Sequence, residues 1–198
     1  MIPGLQPYID ITISEGDKIV KKYRRRKCRS FVVQFAQMLL HGMSLNTVAA
    51  VIDTGNTSRS LVPPVYSRQS QFLLNASAGT TTYGSVVGSG TNVEAITDYA
   101  LQTLITHGTT SGKLQYSAVT FGAPTTDATT SYMTVTRIFT NGSSGNVSVN
   151  EIGLYSYFYN NDTSVGWYFC LVRDKLDSTI VLSAGQNMTL NYILKIII

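Results

Sequence analysis

The stretch Tyr8-Ile9-Asp10-Ile11-Thr12-Ile13 alternates apolar and polar side chains, with Ile9, Ile11 and Ile13 on one face and Tyr8, Asp10 and Thr12 on the other. A period of two marks a β-strand that buries one face. Ser14-Glu15-Gly16-Asp17 reads as a turn, and residues 18–23 as the returning strand of a hairpin. The same alternation recurs at residues 113–121 and 132–139, where Met133, Val135, Arg137 and Phe139 oppose Thr134, Thr136 and Ile138. In the closing strand, residues 189–197, Leu190, Tyr192, Leu194 and Ile196 share a face. Further strands are predicted at 71–75, 83–87, 147–155 and 166–172. Many short strands at close spacing predict a mainly β fold, an antiparallel β-sandwich or jelly-roll-like domain.

One helix interrupts this texture. Between Ser30 and His41, the residues Phe31, Val32, Phe35, Met38 and Leu39 recur at helical spacing, while Gln34, Gln37 and His41 form a narrow polar stripe. Ser30 suits an N-cap and Gly42 a stop. So wide an apolar face predicts a buried helix whose Phe31, Phe35 and Leu39 are covered either under the sheet or against another subunit, with its polar stripe, His41 included, toward water. A second short helix is predicted over 97–105, with Asp98 in its first turn. Residues 53–70, which contain Pro63-Pro64, read as a loop or extended arm. Residues 1–47 thus form a hairpin plus helix and residues 48–198 a sandwich, together one cooperative unit. A chain of 198 residues is long enough to bury a core without staples.

Charged residues are only 13% of the chain, about half the usual share, and 20 Ser and 24 Thr fill the gap. A weakly charged surface rich in Tyr suits a protein packed against copies or partners, because interfaces are depleted in Lys and Glu. The net charge of +4 has one source: eight of the 15 basic residues lie between Lys18 and Arg29. No signal peptide is evident at the start. No apolar window is long enough to span a bilayer, and Lys195 interrupts the closing run of isoleucines. Cys28 and Cys170 read as two free, buried thiols.

Parts for enzyme chemistry are missing from the pattern. His41 falls on the helix stripe and His107 in a loop, and neither cysteine has metal-ligand spacing. The carboxylates are scattered, so no glycosidase pair stands out. Gly88-Ser89-Gly90 lacks the third glycine of a dinucleotide loop and reads as turn glycines. The expectation is a protein that is not an enzyme and takes no metal or cofactor. The basic run Lys21, Lys22, Arg24, Arg25, Arg26, Lys27 and Arg29 has three readings. It could bind phosphates by counterion release, blunt an exposed strand edge, or dock against an acidic patch on a neighbour. Arg137 and Glu151 flank the Asn141-Gly142 turn. In a hairpin with its tip near Ser143-Ser144 they would form a partly buried pair that fixes register.

Three segments are more distinctive: Val87-Gly88-Ser89-Gly90-Thr91 with Thr97-Asp98-Tyr99-Ala100-Leu101; Thr136-Arg137-Ile138-Phe139-Thr140-Asn141-Gly142 leading to Glu151-Ile152-Gly153-Leu154-Tyr155; and Leu171-Val172-Arg173-Asp174-Lys175-Leu176 before the final strand. Their order resembles virion structural proteins of tailed viruses of bacteria or archaea, and loosely the attachment domain of phage tail-collar fibres. Val172 stands where that pattern has Ala. The resemblance implies a subunit of a virus particle, in the tail, neck or baseplate and otherwise a capsid decoration protein. Its implied partners are copies of itself in a symmetric oligomer and other virion proteins, with no membrane. A carbohydrate-binding or adhesin module is the competing reading. A nucleic-acid-contacting protein using the basic hairpin is the third.

Overall fold

The opening alternation is a strand, β1 (Gly4–Glu15), which turns at Gly16 and returns as β2 (Lys18–Lys27). The structure, a computed structural model, describes residues 4–28, 31–44, 47–61, 73–160 and 165–197. The helix α1 (Val33–Ser44) follows, then β3 (Val48–Ile52) and β4 (Ser58–Leu61). Next come β5 (Gly84–Gly88) and three short strands, β6 (Gln115–Tyr116), β7 (Thr120–Phe121) and β8 (Thr125–Thr126). Four long strands close the chain: β9 (Thr130–Thr140), β10 (Val147–Asn160), β11 (Val165–Leu182) and β12 (Gln186–Ile197).

The fold is mainly β and sandwich-like, as the alternation predicts. One sheet has the order β2-β1-β12-β9-β6, with β7 and β8 also on β9; the other is β11-β10-β5. The β3–β4 hairpin is separate. All these strand pairs are antiparallel. β12 lies between β1 and β9, so the N-terminal hairpin extends the sheet that the last strand completes. Ile9 and Ile11 pair with Tyr192 and Leu190, and those with Val135 and Arg137, which gives one continuous inward ladder. That ladder meets Val87, Ile152 and Leu154 of the other sheet in a single core. Each fully buried aliphatic side chain there contributes about 1.5–3 kcal/mol.

Four expectations fail, each for a tertiary reason. Residues 97–105 are not helical, because their N–H groups bond elsewhere: Gln102 and Thr103 donate to Glu151, and Leu101 to the Tyr155 hydroxyl. The strand predicted over 166–172 does not stop there but runs on through Lys175-Leu176-Asp177-Ser178. β11 continues through it with a bulge, where Ile180 pairs with Val149 and Lys175 with Glu151. Asn141-Gly142 is not a hairpin tip but a crossing from one sheet to the other, with the Asn141 amide bonded to the Gly145 and Leu182 carbonyls.

The fourth concerns α1, which runs past Gly42 and buries Gln34 and His41 of the predicted polar stripe beside Met38. Phe31 and Phe35 of the predicted apolar face are half-buried against the core, and Leu39 faces out. Gln34, Met38 and His41 are each 1% exposed, while Val33, Ala36, Leu39 and Leu40 face out. Gln34, Met38 and His41, at i, i+4 and i+7, form one buried line along the helix. The His41 ring lies edge-on to Phe158, so it is a core residue rather than a solvated one. Within the segment 53–70, Asp53 organises the β3–β4 turn by accepting from the Gly55 and Thr57 amides and from Arg59 at 2.6 Å. The predicted N-cap Ser30, most of the predicted strand 71–75 and the Pro63-Pro64 arm lie outside the described residues.

Candidate interaction surface

The loop from Ser89 to Thr103 lies over the outer face of the smaller sheet, held by one buried carboxylate. Glu151 Oε1 accepts from the Thr103 amide at 2.8 Å and the Gly90 amide at 3.1 Å, and Oε2 accepts from the Gln102 amide at 3.1 Å. A Cβ at Gly88 would come within 2.6 Å of Oε1, so glycine there permits the close approach. Arg173 balances the charge: Nε and Nη2 lie 3.0 Å from Glu151 Oε2, while Nη1 donates to Asp98 at 2.6 Å. Burial alone would lower the Arg173 pKa, but the Asp98 and Glu151 carboxylates raise it overall. Nη2 also reaches the Asn92 carbonyl. The Ile96 carbonyl of the same loop accepts from the Val33 amide at 2.9 Å. The loop that the buried pair holds thus reaches the first residue of α1.

Arg137 does not pair with Glu151. The two strands lie in different sheets, and each side chain is buried with other partners. Arg137 instead clasps the sandwich through backbone carbonyls: Nε to Ser117, Nη1 to Ser85 and Tyr83, Nη2 to Thr80 and Ser77, at 2.7–3.3 Å. All five guanidinium N–H groups can be satisfied this way. The ring of Tyr116 lies 4.8 Å below the cation. Burial pulls the Arg137 pKa down to about 10, which leaves it charged at neutral pH. Alternation places Arg137 on the core face correctly. It does not show that the partners are carbonyls.

The outward side of α1 is the largest departure from an ordinary surface. From Val33 to Ser44 the helix holds no Asp, Glu, Lys or Arg. Leu40 is 56% exposed and Ile96, beside the helix start, 67%. Phe31 and Phe35 stack at 3.9 Å and are half-buried. With Leu39, Phe121, Met133 and Leu194 they line an apolar cleft of about 310 Å³ between the helix and strands of both sheets. A soluble monomer usually turns polar residues outward at such a place.

The basic strand is less concentrated than its sequence. Lys21 and Arg26 share the side of Ile13 and Ile9, while Lys22 and Lys27 share that of Thr12 and Tyr8. Arg26 is committed inward, 3.0 Å from Asp174 and 3.0 Å from the Lys175 carbonyl. Lys21 lies over the Tyr23 ring, and Lys21, Lys22 and Lys27 are exposed. Arg24 and Arg25 lie in β2, and Arg29 lies outside the described residues. Two register shifts interrupt the β1–β2 ladder. Lysines and bulges together are how an edge strand is kept from pairing with another chain. The described charge is thus divided between two faces of a blunted edge.

A second unusual surface is aromatic. Tyr157 and Tyr168 are register partners with ring centroids 5.4 Å apart, Tyr83 lies 5.5 Å from Tyr157, and Tyr159 lies 6.5 Å from it. All four are half-buried. His107 accepts from the Tyr116 amide through Nδ1, a structural bond. Cys28 and Cys170 are free and buried; burial first, then the Asp174 carboxylate, pushes the Cys28 thiol well up. Among the described residues no group of three or more His, Cys, Asp or Glu is placed to hold a metal, and no helix is long and apolar enough to cross a membrane. No family model matches the chain, and no curated protein or solved structure matches it.

Proposed function

We propose that this chain is a non-enzymatic structural subunit that works through contacts with copies of itself and with other proteins of a virus particle. The observation that carries the reading is the uncharged outer face of α1 beside an apolar cleft. Exposing such surface to water is unfavourable by roughly 25 cal/mol per Å², and a neighbouring subunit removes that cost. The sheets are suited to contact through faces. β2 is blunted, the β5 edge is closed by Ser89 and Ile105 bonding to Thr103 and Val87, and β11 is bonded along its edge by Val32 and Thr54. The virus setting rests on the resemblance of the motif order to tailed-virus virion proteins, with tail, neck or baseplate ahead of capsid decoration. The test is a quantitative protein inventory of gradient-purified particles from cells carrying the gene. A fixed stoichiometric amount of this chain supports the reading, and its absence from the particles overturns it.

The four clustered tyrosines favour a second reading, a carbohydrate-binding or adhesin module, because phenol rings offer apolar area with a polar tip. A glycan array separates the two: specific retention abolished by Tyr157→Ala and Tyr168→Ala would establish it.

A further inference from the structure

We infer that the outer face of α1 packs against the same face of a second copy, across a two-fold axis running alongside the helix. The inference rests on the subunit reading above and names the partner at that surface. A two-fold contact is isologous, so the patch must contain its own complement. Here it does. At 100° per residue, Ala36 falls at the centre of the outward arc, with Phe35 and Leu39 on one flank and Val33 and Leu40 on the other. The Phe35–Leu39 flank borders the apolar cleft, and the Val33–Leu40 flank is an exposed ridge. An axis parallel to the helix sets the ridge of each copy opposite the cleft of the other. Ala36, the small residue between them, lets the two helices approach closely.

The cleft is large enough for this. Its volume of about 310 Å³ is twice the roughly 150 Å³ that admits a benzene ring, so an aliphatic side chain such as Leu40 fits. Charge decides for a second copy over a partner recognised electrostatically. The helix face is uncharged, so two copies meet with no like-charge repulsion, and nothing on it selects an acidic or basic partner. The cleft lining is apolar throughout, without the few convergent polar groups that orient a small-molecule ligand. With the neighbouring Ile96, the exposed apolar surface is on the order of several hundred Å², the scale of a functional patch but short of a full obligate interface.

The experiment uses the full chain in sedimentation equilibrium, with Leu40→Glu, Ile138→Glu as an exposed control on the outer face of the larger sheet, and Ala36→Cys. The expected result is reversible association of the unaltered protein, weakened at least a hundredfold by Leu40→Glu with an unchanged melting temperature, and unaffected by Ile138→Glu. Ala36→Cys should cross-link to itself on oxidation, since the two native cysteines are buried. Association of Leu40→Glu equal to that of the unaltered chain overturns the inference while leaving the subunit reading intact. An unaltered chain that stays monomeric, alone and with particle proteins, overturns both. If Leu40→Glu fails to fold, Ala36→Cys decides, and no cross-link at concentrations where the protein associates overturns the inference.

Discussion

Glu151 Oε2 lies 3.0 Å from both Nε and Nη2 of Arg173, although across the β10–β11 ladder Glu151 is opposite Lys175 and Arg173 opposite Gly153. The diagonal contact is fully buried and joins the outer loop to the smaller sheet. Removing Glu151 leaves the buried Arg173 with the partly exposed Asp98 as its counter-ion and strips the Gly90, Gln102 and Thr103 amides of their acceptor. Glu151→Ala should therefore cost about 3–5 kcal/mol in urea unfolding. In double-mutant cycles, conservative changes at Glu151 and Arg173 should couple by about 1 kcal/mol or more. Glu151→Gln and Arg137→Lys should be additive to within about 0.5 kcal/mol, because those residues share no partner. Strong coupling of Glu151 to Arg137 would restore the pairing read from the sequence.

That misreading shows where sequence reasoning stops. Alternation located β1 and β9 and their inward faces, because a half-buried strand imprints its period directly: Ile9, Ile11 and Ile13 are all core. In β12 it holds for Leu190 and Tyr192 but fails toward the end, where Ile196 is exposed and Ile193 and Ile197 are buried. It could not assign strands to sheets. Asn141-Gly142 has the composition of a hairpin turn, and only tertiary structure reveals that the chain changes layers there. One signal for the true hub was present. Glu151 shares a face with Val147, Val149 and Gly153, and a carboxylate on an apolar face must find a cation or several N–H donors. In α1, apolar residues cover so much of the circumference that periodicity leaves the buried side undetermined.

The burial of Gln34 and His41 in α1 is testable in stability. Gln34→Lys would place an ammonium group in a site that is 1% exposed, and should cost about 3 kcal/mol or more. Leu40→Lys, on the outward ridge, should change the stability of the dilute protein by under about 0.5 kcal/mol. Thermal melts at low concentration make the comparison. Equal tolerance at the two positions, or the opposite order, would contradict the observed orientation.

Tyr192 is fully buried on β12, and its hydroxyl has no hydrogen-bond partner among the described residues. Burial pushes its ionisation well above the usual phenol value. A hydroxyl desolvated without a partner costs about 1–3 kcal/mol, so Tyr192→Phe should be neutral or stabilising by up to about 1 kcal/mol. A clear loss on urea titration would mean that the hydroxyl is bonded, for instance to an internal water.

Asp127 closes the turn between β8 and β9. Its carboxylate accepts from the Thr130 hydroxyl at 2.7 Å and from the Thr130 and Thr129 amides at 2.8 and 2.9 Å. These bonds, led by that from the Thr130 hydroxyl, lower its pKa from 3.8 to about 2. The folded value lies below the unfolded one, so the contribution is fully present above 3.8 and is lost as pH falls through about 2. Carbon-detected NMR should show Asp127 titrating near the lower value, with faster exchange of the Thr129 and Thr130 amides over that window. Titration at the ordinary carboxylate value would show that the turn does not hold in solution.

The central claim is that this chain functions through contacts between subunits, and sedimentation velocity on the unaltered protein tests it most directly. Runs over a hundredfold range of concentration, each at low and high salt, should show mass rising with concentration and persisting in high salt. An apolar contact is not screened, whereas docking through the basic strand would weaken as salt shortens the Debye length. A sedimenting mass of one chain at every concentration, with no complex on adding purified particle proteins, would contradict the account.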